Sequence, residues 1–512
     1  MKSWNAFFEI LKFPIGVLFF CMLIGGIGNM IINPALGIAD AITNDTVILV
    51  GNIMYRAAQF TVVNFPLFML IKLTSRRNGS AAAVLSAVAG YFCYCIGTLF
   101  FSSATLPATT FSSILGISVS SGGTVRYPLQ TGMLGTIIVT LITLWSFNRA
   151  RSRTEYGFFS FISKDTSIAI HTMFWSLLAG IGAAMVWPYL MMGINKVITF
   201  IANDTTNPVN LALYGITERI LSVLNLGRLI RQPFWYTGSG GTWLNMAGSF
   251  IAGDAAIWSA QTASNSISSL TGRFFTPYYV LNIFAVPGMI CAFYSLYTDI
   301  IERRKMRMLV ILAFIGSMLT GTLLPLELML VLLCPLLFFM HVGYTGILFA
   351  ILHVLNAHIG SSPYLNAVMM AMPGTLPELL TCLQYPSLQS SIVITVIVGA
   401  VSFVAYFFMT RIYFKYLAVD LFKTGEKDRM INGTIKAVGG IENVKMIQSS
   451  ISKLTISVYD PNKIKISQLR RLGSFRVYES RAGYNICMGA ASTMVRIGMN
   501  NAMREAVRSV NR

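Results

Sequence analysis

Long apolar runs fill most of the chain between residue 13 and residue 414. A helix that crosses the hydrocarbon core of a bilayer needs about 20 mostly apolar residues. The sequence therefore predicts a polytopic α-helical membrane protein with about ten spanning helices and further re-entrant segments. The run at 326–356 suits either one tilted span plus a re-entrant piece or two short spans. The runs lie at 13–32, 47–71, 81–106, 129–147, 168–201, 277–297, 308–323, 326–356 and 391–414.

Residues 202–276 interrupt this pattern with a segment rich in Gly, Ser, Thr and Asn. Lipid cannot satisfy irregular polar backbone, and charges at membrane depth are costly, so such a segment is buried in protein or lines a wet cavity. We expect it to line a cavity on a substrate pathway, with an ordinary extramembrane loop as the alternative. Its charged residues include Glu218, Arg219, Arg228, Arg231, Asp254 and Arg273.

The pattern changes again after Arg411, where the apolar runs stop and shorter elements begin. The remaining length suits one small cytoplasmic α+β domain. The elements predicted there are helices over 431–438, 465–472 and 493–510 and strands over 453–459 and 484–488. The predicted division is a membrane domain over 1–417, a linker over 418–429 and a small domain over 430–512.

The composition supports a membrane protein and excludes two other classes. Of the 512 residues, 55% are hydrophobic and 11% are charged, and the mean hydropathy is +0.66. A soluble globular protein carries about 25% charged residues, so neither a soluble multidomain enzyme nor a disordered chain fits. The net charge of +19 does not indicate nucleic-acid binding here, because the cytoplasmic loops of membrane proteins collect Lys and Arg.

Basic residues predict the orientation of the chain. They occur in alternate loops along the first spans, whereas the intervening loops carry little positive charge. Since basic loops stay in the cytoplasm, the N-terminus and the C-terminal domain are both expected on the cytoplasmic side. The basic groups are Lys72, Arg76 and Arg77; Arg149, Arg151 and Arg153; and Arg303, Arg304, Lys305 and Arg307.

Short motifs in a characteristic order carry a family resemblance. In the membrane part they are Pro14 with Gly25–Gly28, Asn64–Phe68, Thr131–Gly135, Tyr214–Leu221, Ala252–Asp254, Phe284–Gly288, and Pro325–Leu328 with Pro335 and His341. In the tail the motif is Gly439–Val444. Together they resemble the glucose, maltose and N-acetylglucosamine branch of bacterial phosphotransferase-system sugar permeases, which join a membrane IIC domain to a cytoplasmic IIB domain.

The resemblance implies a mechanism, a location and partners. In that family the IIC domain binds sugar in a cavity at the membrane midplane, and a phosphocysteine of the IIB domain phosphorylates the sugar during transport. It also implies a multi-pass protein of the bacterial cytoplasmic membrane, a homodimer formed through the membrane domain, and IIA or IIB proteins as partners. No cofactor or nucleic acid is expected. No metal is expected either, since His353 and His358 lack an acidic third ligand.

The residues that carry phosphate chemistry in the family are replaced in this chain. The phosphocysteine aligns with Ser450, the paired histidines align with Gly227 and Arg228, and a sugar-contacting glutamate aligns with Leu324. A serine phosphoester is a poor phosphoryl donor, and a leucine can neither bind a hydroxyl nor accept its proton. Cys487 lies outside the motif and is expected to pack in the domain, with a phosphate-carrying role as the alternative.

Six residues are candidates for substrate binding: Glu327, Arg219, Glu218, Asp254, Arg228 and His341. Glu327 is the best remaining acid for hydroxyl contact, and capping of a helix is its alternative. Asp254 also suits a turn, the adjacent Glu218 and Arg219 also suit an internal ion pair, and His341 also suits a core position.

Arg228 and Arg231 place positive charge where the family has histidine. They favour either an anionic ligand or contact with lipid phosphates, and the sequence does not separate the two.

We expect a permease of this type that binds and translocates a sugar without phosphorylating it autonomously. Whether it acts as a protein-phosphocysteine–sugar phosphotransferase stays open, because Ser450 and Leu324 replace the reactive groups. One alternative is a non-catalytic sugar sensor or regulatory membrane protein derived from such a permease. Another is a facilitator, or a permease that borrows a IIB domain in trans.

Overall fold

The structure is a computed structural model that describes residues 2–78, 81–121, 123–151, 163–268, 270–364, 373–417 and 426–510. Arg153, which belongs to one of the basic groups, lies outside the described residues. So does the part of the predicted linker between residues 418 and 425.

Helices make up nearly all of the regular structure before residue 418. They are α1 Lys2–Ile32, α2 Asp45–Val63, α3 Phe65–Asn78, α4 Ala81–Phe101, α5 Gly132–Arg151, α6 Lys164–Asn203, α7 Pro208–Val223, α8 Arg228–Tyr236, α9 Asp254–Ala263, α10 Thr276–Val280, α11 Val286–Leu296, α12 Ile300–Thr320, α13 Leu324–Leu333, α14 Pro335–Val354, α15 Leu376–Cys382 and α16 Gln389–Ile412. Two short antiparallel hairpins join them, β1 Val119–Ser121 with β2 Thr124–Arg126, and β3 Thr242–Leu244 with β4 Phe250–Ala252.

Seven of the described helical stretches are long and apolar enough to cross a membrane, so the chain is a polytopic membrane protein. They are Ile10–Ile32, Asp45–Val63, Ala81–Phe101, Asp165–Asn203, Thr276–Leu296, Pro335–Val354 and Pro386–Leu417. The predicted total of about ten spans stays a prediction. The long run at 326–356 is divided at Cys334, before Pro335, into the short helix α13 and the 20-residue helix α14.

Helix α6 is 40 residues long, which at 1.5 Å per residue is about 60 Å, twice the hydrocarbon thickness. It packs along α4, and small residues permit the close approach. A Cβ on Gly180 would collide with the carbonyl oxygen of Tyr94, and one on Gly97 would lie 2.7 Å from the carbonyl oxygen of Leu177. The α4–α6 pair therefore depends on glycine at its contact line.

The segment after residue 425 forms a small α+β domain with its own apolar core. Its strands are β5 Val444–Ser449, β6 Lys453–Val458, β7 Arg476–Ser480 and β8 Gly483–Cys487, and its helices are α17 Glu426–Ala437, α18 Ile466–Arg471 and α19 Ala491–Val510. The antiparallel sheet has the order β5-β6-β8-β7. The sequence predicted the two central strands and all three helices. It missed the edge strands β5 and β7, whose charged and half-exposed residues weaken the alternation.

Replacing Gly180 with Val should destabilise the membrane domain, because the added side chain forces α4 and α6 apart. Overpacking of this kind costs about 1–3 kcal/mol. Gly182→Val on the same helix is the matched control, since no atom lies within 4 Å of a Cβ there and the change in helix propensity is the same. Thermal unfolding of the purified protein in detergent measures both variants, and equal melting temperatures would contradict the packing argument.

Candidate functional site

A tight turn between α7 and α8 organises the interior of the membrane domain. Asn225 adopts a positive φ of 59°, which asparagine tolerates better than most residues. Its side-chain amide donates to the carbonyl oxygen of Val62 at 3.2 Å, at the end of α2. The backbone N–H of Met133, at the start of α5, donates to the carbonyl oxygen of Leu224 at 3.0 Å. The turn is thus fixed to two other helices, and α8 folds back against α7.

This return brings four charged side chains together in the apolar interior. Glu218 is fully buried, and its Oε2 lies 2.5 Å from both Nε and Nη2 of Arg219. Its Oε1 accepts from Nε of Arg231 at 2.7 Å and from the hydroxyl of Ser222 at 2.8 Å. Nη1 of Arg219 reaches across to Oε1 of Glu327, on α13, at 2.6 Å. We call this group of two arginines and two glutamates the ion network.

Hydrogen bonds connect the ion network to α14 and α16. Nε2 of His341 lies 3.3 Å from Oε1 of Glu327, and Nδ1 of His341 lies 2.8 Å from the hydroxyl of Tyr406. Oε2 of Glu327 is buried and has no hydrogen-bond partner among the described residues. It is therefore the one carboxylate oxygen of the network that the described residues leave without a hydrogen bond.

Charge balance explains why these groups can be buried at all. An isolated charge in a low-dielectric interior is very costly, whereas a paired and hydrogen-bonded one is tolerated. Arg219 and Arg231 supply two positive charges, Glu218 and Glu327 supply two negative ones, and all four side chains are at most 6% exposed. The two positive and two negative charges balance, and both arginines pair with carboxylates of the network.

Asp254 lies apart from the ion network and holds backbone in place. It begins α9, directly after Gly253, whose φ is 95°. Its Oδ1 accepts from the N–H of Gly272 at 2.8 Å, and its Oδ2 accepts from the N–H of Phe274 at 3.1 Å. Both oxygens thus accept hydrogen bonds from N–H groups in the irregular segment before α10. Lipid could not supply such acceptors.

Glu378 has the same kind of role in a second irregular segment, and the sequence reasoning did not single it out. Its Oε1 accepts from the N–H of Ser362 at 3.2 Å, and its Oε2 accepts from the N–H of Gly374 at 3.0 Å. The signal was present, because Thr375 and Glu378 have the Thr-x-x-Glu spacing of a capping box at the start of α15.

A cavity of about 880 Å³ opens beside the α7–α8 turn. Its walls are the C-terminal half of α2, the loop after α4, the β2 strand and the first residue of α8, which is Arg228. Nη1 of Arg228 donates to the carbonyl oxygen of Phe111 at 3.0 Å and lies 3.4 Å from the hydroxyl of Ser112. The volume is within the range of small-molecule sites, about 300–1,000 Å³.

The structure divides the predicted site residues into three places. Glu218, Arg219 and Glu327 belong to the ion network, and His341 contacts it through Glu327. Asp254 holds backbone in place, and Arg228 lines the cavity. The sequence predicts that the segment 202–276 lines a cavity. In the cavity described above, the wall residue from this segment is Arg228.

Two residues of the cavity wall, Arg56 and Arg126, were not among the candidates. Arg56 could have been found, because an arginine inside the apolar run 47–71 is costly at membrane depth and by default marks a functional site.

Ser450 lies in the turn between β5 and β6 and is 5% exposed. The loop after α11 covers this turn. The N–H of Thr298 donates to the carbonyl oxygen of Ser449 at 3.0 Å, and the N–H of Ser449 donates to the hydroxyl of Thr298 at 2.8 Å. Nearby, Nζ of Lys453 lies 3.3 Å from a carboxylate oxygen of Glu302. Partial burial by itself lowers the pKa of Lys453. The negative charge of Glu302 raises it by more, so the net shift of this pKa is upward.

Cys487 is buried on β8, where it pairs with Lys453 across the sheet. Among the described residues, no group of three or more His, Cys, Asp or Glu side chains could hold a metal ion. His353 and His358 instead contact each other, with 2.9 Å between Nδ1 and Nε2.

Comparison with known protein families gives a match over most of the membrane domain. The family model described as "Phosphotransferase system, EIIC" matches residues 8–346, which is more than half of the chain. The matched region contains the ion network, Arg228 and the cavity walls.

Glu218→Gln should destabilise the protein strongly, because two buried arginines would then face one carboxylate. Breaking a buried ion pair by removing one partner costs about 3–5 kcal/mol. Glu426→Gln is the matched control, since Glu426 pairs with Arg429 at the surface. Loss of a surface pair costs roughly 0–1 kcal/mol. Thermal unfolding in detergent compares the two, and a Glu218→Gln variant as stable as the control would contradict the charge-balance argument.

Proposed function

Because the chain belongs to the phosphotransferase-system EIIC family of sugar permeases, we propose that it binds a sugar and translocates it without phosphorylating it autonomously. The observation that carries this proposal is Ser450 at the β5–β6 turn, where the resemblance to IIB domains places the phosphocysteine. A cysteine thiol has a pKa near 8.5 and is readily activated, whereas a serine hydroxyl is a weak nucleophile without an adjacent base.

The surroundings of Ser450 support the same proposal. The side chain is buried, and its hydroxyl accepts from the backbone N–H of Lys453 at 3.2 Å. The neighbouring Ser449 is hydrogen-bonded to Thr298 of the loop after α11. A group that receives a phosphoryl group from another protein has to be reachable, whereas Ser450 is only 5% exposed. Cys487 is equally buried, which argues against its substituting for the missing thiol.

The membrane domain supports binding and passage of a sugar rather than transfer to it. Leu324 begins α13 and packs against the apolar core where the family resemblance expects a glutamate. Without that carboxylate, no group at this position can take the proton that a sugar hydroxyl loses when it is phosphorylated. The cavity beside Arg228 remains large enough for a sugar.

The finer features of the proposal follow the same resemblance. They are membership of the glucose, maltose and N-acetylglucosamine branch, a IIB-like fold for residues 430–512, and a homodimer formed through the membrane domain. The protein would lie in the bacterial cytoplasmic membrane with both termini in the cytoplasm, and IIA or IIB proteins would be its partners.

A non-catalytic sugar sensor is the second candidate, and one observation favours it. The C-terminal domain is tied to the membrane domain through Thr298 with Ser449 and through Glu302 with Lys453. A change in the helices α11 and α12 on sugar binding would therefore act directly on the small domain.

Sugar uptake by membrane vesicles should be independent of a phosphoryl donor. The assay supplies hexoses, disaccharides and sugar acids, with or without phosphoenolpyruvate and the general phosphotransferase proteins. We expect equal initial rates in both conditions and unmodified sugar inside the vesicles, because no thiol relays the phosphoryl group. Sugar that is bound but not taken up would favour the sensor, and sugar phosphate inside the vesicles would contradict the proposal.

Phosphoryl labelling of the purified chain tests the same point without transport. The unaltered protein should remain unlabelled after incubation with labelled phosphoenolpyruvate and the general phosphotransferase proteins. Ser450→Cys is the matched variant, because it restores the thiol and changes a single atom. Label on Ser450 or Cys487 of the unaltered chain would overturn the proposal.

A further inference from the structure

The cavity beside the α7–α8 turn carries positive charge that its own walls do not balance. Arg56, Arg126 and Arg228 all line it, and the described residues around it include no aspartate or glutamate. The inference drawn from this charge rests on the proposed function, since it concerns the kind of sugar that the cavity accepts.

Arg228 is the central group of the three. It is half-buried at the start of α8, and its position is fixed because Nη1 donates to the carbonyl oxygen of Phe111 at 3.0 Å and lies 3.4 Å from the hydroxyl of Ser112. Both contacts use the same nitrogen. A guanidinium has five N–H donors, and among the described residues Nε and Nη2 have no hydrogen-bond partner.

The neighbouring arginine, Arg231, has a carboxylate partner and serves as a comparison for Arg228. It lies one turn further along α8, and its Nε donates to Oε1 of Glu218 at 2.7 Å inside the ion network. Arg228 has a backbone carbonyl and a hydroxyl as partners where Arg231 has a carboxylate. The two arginines, equivalent in the sequence, therefore differ in function, and the uncompensated charge is the one in the cavity.

The other two arginines extend the positive field towards the solvent. Arg56 and Arg126 are exposed, and Nη1 of Arg56 donates to the side-chain oxygen of Gln59, which is uncharged. A cleft lined by one sign of charge between low-dielectric walls concentrates ligands of the opposite sign. Arginine also binds carboxylate and phosphate groups through two parallel hydrogen bonds, which gives orientation as well as affinity.

We infer that the substrate is an anionic sugar, which bears a carboxylate or a phosphate group. Arg228 binds the anionic group, and Arg56 and Arg126 attract it into the cavity. A neutral sugar would leave a half-buried guanidinium without a counter-charge, which is unfavourable. The apolar side chains of Phe60, Phe111 and Tyr127 in the same wall provide surface for the sugar ring.

Binding of three sugars to the purified full-length protein tests this inference. The protein is placed in nanodiscs of phosphatidylcholine, so that no anionic lipid competes, and titrated with D-glucuronate, D-glucose 6-phosphate and D-glucose. At least one anionic sugar should bind roughly tenfold more tightly than glucose, since a hydrogen bond to a charged group contributes about 1.5–3 kcal/mol. Its affinity should fall as salt is added.

Substitution of Arg228 identifies the group responsible. Arg228→Gln should weaken binding of the anionic sugar about tenfold and leave glucose unchanged, while Arg228→Lys should retain part of the affinity. Lys196→Gln, which removes an exposed charge from α6 outside the cavity, should have no effect. Should Arg228→Gln fail to fold, the exposed Arg56→Gln and Arg126→Gln variants measure the same charge, with a smaller loss expected.

Other binding results would contradict the anionic-sugar inference, the proposed function or both. Tighter binding of glucose than of both anionic sugars would overturn the inference and leave the permease proposal intact. Binding of no sugar at all would overturn both. Inorganic phosphate or glycerol 3-phosphate that binds as tightly as glucose 6-phosphate, with no binding of glucuronate, would identify a site for phosphate or lipid headgroups and would likewise overturn the inference.

Discussion

Charge neutralisation inside an apolar domain is the constraint on which this structure depends. Glu218 accepts from Arg219 and Arg231, and Arg219 also reaches Glu327. These contacts join α7, α8 and α13 at a depth where an unpaired charge would be very costly. Hydrogen bonds to α2 and α5 fix the turn at Asn225, and beyond this turn α8 folds back so that Arg231 contacts Glu218. The turn and the ion network thus hold the same helices together.

This constraint also decides which charges are available to a substrate. The arginines of the network are satisfied by carboxylates and act as structure, and Asp254 and Glu378 are satisfied by backbone N–H groups. Arg228 pairs with no carboxylate among the described residues, because it is the first residue of α8 and lies at the cavity wall. Two polar groups of the predicted site residues are left with weak partners or none in the described part of the chain, and they lie in different places: Arg228 lines the cavity, and Oε2 of Glu327 is buried in the ion network.

The C-terminal domain has a complete fold of its own and contacts the membrane domain directly. Its sheet and core are complete, yet Ser450 lies at the turn where the family resemblance places a cysteine, and a loop of the membrane domain covers that turn. Packing and backbone pairing are distributed over many residues, whereas phosphoryl transfer depends on one thiol. Under the function proposed above, the small domain would keep this packing although it no longer relays a phosphoryl group.

The sequence alone determined the membrane class, the α+β tail and the pairing of Glu218 with Arg219 as an alternative to ligand binding, because hydrophobic runs and costly buried charges leave local signals. The sequence could not determine which groups each buried side chain contacts. Arg228 and Arg231 are three residues apart and looked equivalent, but helix α8 directs one to the cavity and the other to Glu218. The edge strands β5 and β7 and the cavity wall at Arg126 were also missed. Such features arise from contacts between residues distant in the chain, which only the tertiary structure brings together.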